Sequence, residues 1–101
     1  MSDNKIVVKV DEDLEELIPG FLKNRINDVQ LLRDALAGED VARLQSIGHS
    51  LKGVGGGYGF DALSEIGAKI EIAAKENNVN VIEEIISEMA DYLERVDVVY
   101  E

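Results

Sequence analysis

The chain has 101 residues, 46% of them hydrophobic, which suits one domain whose core needs no staples; the lack of cysteine excludes disulfides, thiolate chemistry and cysteine-ligated zinc. A net charge of −11 repels phosphate backbones, so no nucleic-acid partner is expected, and the acidity reads first as solubility. No apolar run approaches the roughly 20 residues that span a bilayer, and residues 1–9 lack the apolar segment of a signal peptide, so a cytoplasmic protein with no membrane partner is expected.

Residues 1–4 read as frayed. Residues 5–10 (K-I-V-V-K-V) alternate loosely, but a lone strand has nothing to pair with, so residues 1–10 are predicted to form an arm lying on the domain. Asp11, Glu12 and Asp13 load a helix N-terminus with negative charge, and Leu14, Leu17 and Ile18 give that short helix an apolar side. Pro19 and Gly20 interrupt it. A second helix begins at Pro19, because a first turn tolerates proline, and runs to about Ala37 on the stripe Phe21, Leu22, Ile26, Val29, Leu32 and Leu36. Gly38 is its stop, and Asp40 caps a third helix with Val41, Leu44, Gly48, Leu51 and Gly55 inward.

Asp61 is expected to cap a fourth helix, with Leu63, Ile66, Gly67, Ile70, Ala73 and Ala74 inward. Asn80 followed by Glu83 has the spacing of a capping box for a fifth, whose stripe is Ile82, Ile85, Ile86, Met89, Leu93 and Val96; residues 98–101 are expected to fray. Short connections force antiparallel neighbours. The predicted fold is therefore all-α, an antiparallel up-down four-helix bundle over residues 11–101 with a short N-terminal cap helix.

Residues 48–60 (G-H-S-L-K-G-V-G-G-G-Y-G-F) hold the one histidine, His49, then Lys52, then five glycines within seven residues. The stretch is not a phosphate-binding loop for nucleotides, which needs G-x-x-x-x-G-K-[ST]: Lys52 precedes Gly53, and no Ser or Thr follows it. Gly57, Gly59 and Ala62 match a dinucleotide fingerprint in spacing only, since the preceding residues have a helical pattern. No metal site is expected, because the Glu-x-x-His pairing of bundle metal sites is missing and no second histidine exists. Ser50 cannot serve as a nucleophile beside His49, because adjacent helix residues do not face each other.

At about 100° per residue, His49 lies roughly 140° from the centre of the inward stripe and so faces solvent. Lys52 and Gly53 lie one turn along the same ridge, Gly56 lies two turns along, and Gln45 and Ser46 lie one turn before. Each helical glycine costs about 1 kcal/mol relative to alanine. Gly48 and Gly55 are accounted for by close helix packing and Gly57 and Gly59 by the following turn, but Gly53 and Gly56 are not. Bare backbone there lets another macromolecule approach the imidazole. A neutral imidazole is a good nucleophile near neutral pH, and a neighbouring lysine stabilises the charge of a phosphoryl group placed on it.

His49, Lys52, Gly53 and Gly59 together resemble the H-x-x-K-G-x-x-x-x-x-G motif of histidine phosphotransfer (HPt) domains, and D-E-D-L-E-E-L-I-P-G-F-L is similar to the same family. The resemblance implies a four-helix bundle that relays phosphoryl groups between receiver-domain aspartates. It makes His49 the phosphorylated residue, Lys52 the charge-stabilising residue and Gly53 the small residue that admits the receiver, with Gln45, Ser46 and Gly56 beside it. It implies response-regulator receivers and a hybrid histidine kinase as partners, no cofactor, and a monomeric carrier rather than a stand-alone kinase. The family's usual asparagine in the glycine run is Gly57 here. Its glutamine or glutamate on the next helix matches Glu71, which is left out of the predicted site because a carboxylate does not favour a phosphoryl group. The alternative within the family is a chemotaxis-kinase-like phosphotransfer domain fed by a separate ATP-dependent kinase domain, to which G-Y-G-F is also similar. A non-catalytic receiver-binding module is the other alternative. A dimeric kinase core is disfavoured, since Ser50 rather than an acid follows His49 and Pro19 is the sole proline.

Overall fold

Four helices carry most of the chain in the computed structural model, which describes residues 4–101. They are α1 (Ile18–Ala37), α2 (Val41–Gly57), α3 (Asp61–Lys75) and α4 (Val79–Arg95). Their apolar faces meet in one core, with Leu32, Leu44, Leu51, Leu63, Ile70 and Met89 fully buried. The expected fraying of residues 1–4 falls largely outside the described residues.

The ends of the chain depart from the all-α expectation. Residues 5–10 do not form an unpaired arm: β1 (Ile6–Val10) pairs in parallel with β2 (Val96–Tyr100), in the register Ile6↔Val96 to Val10↔Tyr100. The ladder continues past the strands, through Glu101 N–H to Val10 O at 3.0 Å and Glu12 N–H to Glu101 O at 3.0 Å. Residues 98–101 are thus strand and its extension rather than a frayed helix end. Parallel pairing needs a long crossover, and here the helices between the two strands supply it. The helix breaks at Val96 (φ −66°, ψ 133°), where V-D-V-V-Y brings three β-branched residues that favour the pleated conformation.

The short N-terminal cap helix is replaced by one 3₁₀ turn, Glu12–Leu14. Asp11 does cap it, accepting from the Asp13 amide at 2.8 Å. So short a segment cannot sustain α-helix without a packed face, and it has almost none: Leu14 is half-buried and Leu17 is 53% exposed. Ile18, expected on the same side, is instead buried as the first residue of α1. The α1 stripe also differs at Ile26, which is 58% exposed on the rim of a groove between α1 and α4.

Asp40 caps α2 as expected, accepting from the Arg43 amide at 3.1 Å. Asp61 and Asn80 do not cap. The cap positions are Phe60 and Asn78, neither with a side-chain bond, and Asp61 lies inside the first turn of α3, where its charge suits the helix dipole. After α2 the chain turns at Gly59, whose φ of +88° an L side chain rarely adopts. The residues flanking that glycine lock the turn: Phe21 of α1 stacks on Tyr58 at 4.4 Å and on Phe60 at 5.1 Å. G-Y-G-F is therefore a packing device that ties α1 to the end of α2.

Candidate functional site

Three glycines set the geometry of the α2–α3 pair. A Cβ on Gly67 would lie 2.5 Å from the Lys52 amide nitrogen and 2.7 Å from the Gly48 carbonyl oxygen. One on Gly48 would lie 2.8 Å from the Glu71 nitrogen, and one on Gly55 2.6 Å from the Ser64 nitrogen. The two helices thus touch backbone to backbone along this line. Ser64 adds a cross-link by donating its hydroxyl to the Lys52 carbonyl at 2.7 Å.

This close approach brings a side chain of α3 to the ridge of α2. The His49 side chain is 71% exposed and that of Lys52 49%, as the helical wheel requires. Glu71, 22 positions after His49, presents its carboxylate to both. Its Oε2 lies 2.9 Å from His49 Nδ1 and its Oε1 accepts from Lys52 Nζ at 3.3 Å, while the Glu71 side chain itself is only 10% exposed. Lys75, one turn further along α3, stands with Nζ 4.0 Å from Oε2. Among the described residues Glu71 is the buried charged side chain.

Glu71, outside the predicted site, is in contact with both His49 and Lys52 of that site. The carboxylate lies against Nδ1, not where a group on Nε2 would sit. Glu71 follows Gly67 by four residues and so shares its side of α3, but that this side meets α2 at His49 is seen only in the structure. Ser64 and Lys75 left no comparable mark in the sequence. Gln45 and Ser46 line a shallow depression with Ala42, His49 and Glu71. Gly53 is open: a Cβ there would have nothing within 4 Å, and one on Gly56 would meet only Ser64 Oγ at 3.9 Å.

The hydrogen bond from His49 is the main reason the Glu71 carboxyl titrates below its ordinary 4.5; burial pushes the other way, and Lys52 adds to the lowering. An ionised carboxylate only accepts, so Nδ1 carries the ring hydrogen and the neutral ring keeps its lone pair on Nε2. Because the folded carboxyl titrates below the unfolded one, its contribution to stability is complete above about pH 5 and is lost as pH falls through the folded value. The stability advantage of the wild type over Glu71→Gln should accordingly shrink on acidification below 4.5. Denaturant melts of both chains across pH 3 to 7 measure it (roughly the carboxylate range); a difference that does not vary with pH contradicts the assignment.

Among the described residues no three His, Asp or Glu side chains are grouped to hold a metal ion, and no helix is long and apolar enough to cross a membrane. What the cluster offers is an exposed nucleophile with its tautomer set and a cation beside it. A family model described as "Hpt domain" matches residues 11–98, a span that holds His49, Lys52, Gly53 and Glu71 and excludes β1. No curated protein and no solved structure matches the chain.

Proposed function

We propose, on the premise that this chain belongs to the Hpt-domain family, that it carries phosphoryl groups on His49 Nε2 between receiver domains of a phosphorelay. The donor is an aspartyl phosphate on a receiver, such as that of a hybrid histidine kinase. The Nε2 lone pair attacks phosphorus, the N–P bond forms, the P–O bond to the aspartate breaks, and the carboxylate leaves with its electron pair. The same step run backwards against a second receiver hands the group on. Lys52 stabilises the phosphoryl charge, and Gln45, Ser46, Gly53 and Gly56 form the surface on which the receiver lands. The chain acts as a monomeric cytoplasmic carrier with no cofactor of its own.

Glu71 has a positive part in this chemistry. Phosphorylation at Nε2 with Nδ1 still protonated makes the ring formally an imidazolium, and a carboxylate against Nδ1–H stabilises that charge. The observation that carries the reading is the exposed His49 ring, fixed through Nδ1 to Glu71 at 2.9 Å with Lys52 on the same carboxylate at 3.3 Å.

The test is transfer from ³²P-labelled receivers of the source organism to the purified chain. Label should move to the chain in a linkage that is acid-labile and alkali-stable, as a phosphoramidate is, and should leave again when a second receiver is added. An acid-stable ester, or label supplied only by an ATP-bound kinase domain and by no receiver, would sink this reading.

A further inference from the structure

Two lysines and an imidazole converge on one carboxylate. Glu71 Oε1 takes Lys52, Oε2 takes His49 Nδ1, and Lys75 waits at 4.0 Å from Oε2, beyond hydrogen-bonding distance. This arrangement bears on the phosphorylated state. A phosphoryl group on Nε2 brings close to two negative charges to the ridge. Lys52 is the cation on that ridge, but in the resting chain it is committed to Glu71. If it swings to the phosphoryl oxygens, Oε1 of a carboxylate that is only 10% exposed loses its charged donor. Leaving a buried carboxylate short of partners is costly and favours its protonation, which would also weaken its hold on the imidazolium.

Lys75 offsets that loss from the other oxygen, by bringing a second positive charge to Oε2 of the same carboxylate. It lies on α3 with Glu71, four residues on, so it stays within reach of that carboxylate whatever α2 or its phosphoryl group does. Its side chain is 57% exposed, and a shift of about 1 Å brings its ammonium into hydrogen-bonding range of Oε2. We infer that Lys75 is a positioning residue that takes over Glu71 when Lys52 turns to the phosphoryl group, keeping Glu71 ionised and seated on Nδ1. This rests on the phosphocarrier reading above. It assigns Lys75 to the carboxylate and not to the phosphoryl group.

The experiment is the equilibrium constant for transfer between the chain and a receiver that labels it, measured for the wild type, Lys75→Met, Lys75→Arg, Glu71→Gln and the Lys75→Met/Glu71→Gln pair. Lys75→Met should move the equilibrium back towards the receiver by roughly two- to fivefold, the range for a solvent-exposed ion pair. Lys75→Arg should restore it. With Glu71→Gln already made, Lys75→Met should shift nothing further, because no carboxylate remains to be held. The inference is overturned if Lys75→Met equals the wild type, if arginine does not rescue, or if the full shift persists beside Glu71→Gln. A wild-type chain that takes no label from any receiver is a different failure and strikes the phosphocarrier reading itself.

Discussion

Exchanging His49 for glutamine is expected to reduce label uptake from phosphorylated receivers to background, a loss of more than about a thousandfold, as when a nucleophile is deleted. The substitution isolates chemistry from folding. The side chain is 71% exposed, so the substitution should cost no more than about 1 kcal/mol, the worth of one hydrogen bond. Glu71 keeps Lys52 at 3.3 Å as a partner whatever contact is made by the glutamine amide, whose nitrogen falls nearer the place of Nε2 than of Nδ1. What the amide lacks is a nucleophilic lone pair, because its nitrogen is conjugated with the carbonyl. A circular-dichroism melt run beside the transfer assay separates the two effects. A folded His49→Gln chain that labels as the wild type does would place the phosphoryl group elsewhere and dismantle the site.

The site was legible in part, and the division follows the helix period. His49, Lys52, Gly53 and Gly56 fall on one outward ridge and Gly48, Leu51 and Gly55 on the inward face, which a wheel of α2 alone resolves and the burial pattern matches. Glu71 is a different kind of residue. Its contact with His49 arises across two helices, from how far α3 is rotated and how closely it approaches, and the pattern of α2 holds neither quantity. On the proposed reading, charge reasoning there has two parts. A carboxylate does not favour the phosphoryl group itself, but under the proposed chemistry the ring nitrogen that faces Glu71 would become positive when the other nitrogen is phosphorylated.

The fold shows the same limit at its ends. The helical stripes of α2 from Leu44 onwards and of α3 are buried as their spacing requires, with Val41 half-buried, because each is a local pattern against one core. The β1–β2 pair joins residues at opposite ends of the chain, and each strand alone is too short to announce a partner. K-I-V-V-K-V and V-D-V-V-Y share the alternation of a half-buried ribbon, but only side by side do they explain each other. Val10 is 3% exposed, so the ribbon is seated on the core rather than trailing from it.

The second large effect is expected at a glycine that touches no substrate. Gly67→Ala places a methyl group 2.5 Å from the Lys52 amide nitrogen and 2.7 Å from the Gly48 carbonyl oxygen. Both are backbone atoms of α2 and cannot swing aside, so the helices must part. Overpacking of this kind costs about 3 kcal/mol, and for a domain of this size that lowers Tm by roughly 12 to 24 °C. The damage should reach the chemistry in whatever fraction remains folded: Glu71 sits one turn from Gly67, and parting the helices stretches its bond to His49 Nδ1 from 2.9 Å. Gly53→Ala is the informative contrast, since a Cβ there meets nothing within 4 Å. It should raise stability by about 1 kcal/mol through helix propensity, while any loss of transfer would come from the receiver that must pass over it. Melting both variants and assaying their transfer tests the division between packing and landing glycines. If Gly67→Ala melts within a few degrees of the wild type, with transfer intact, α2 and α3 do not depend on this contact to hold the site together.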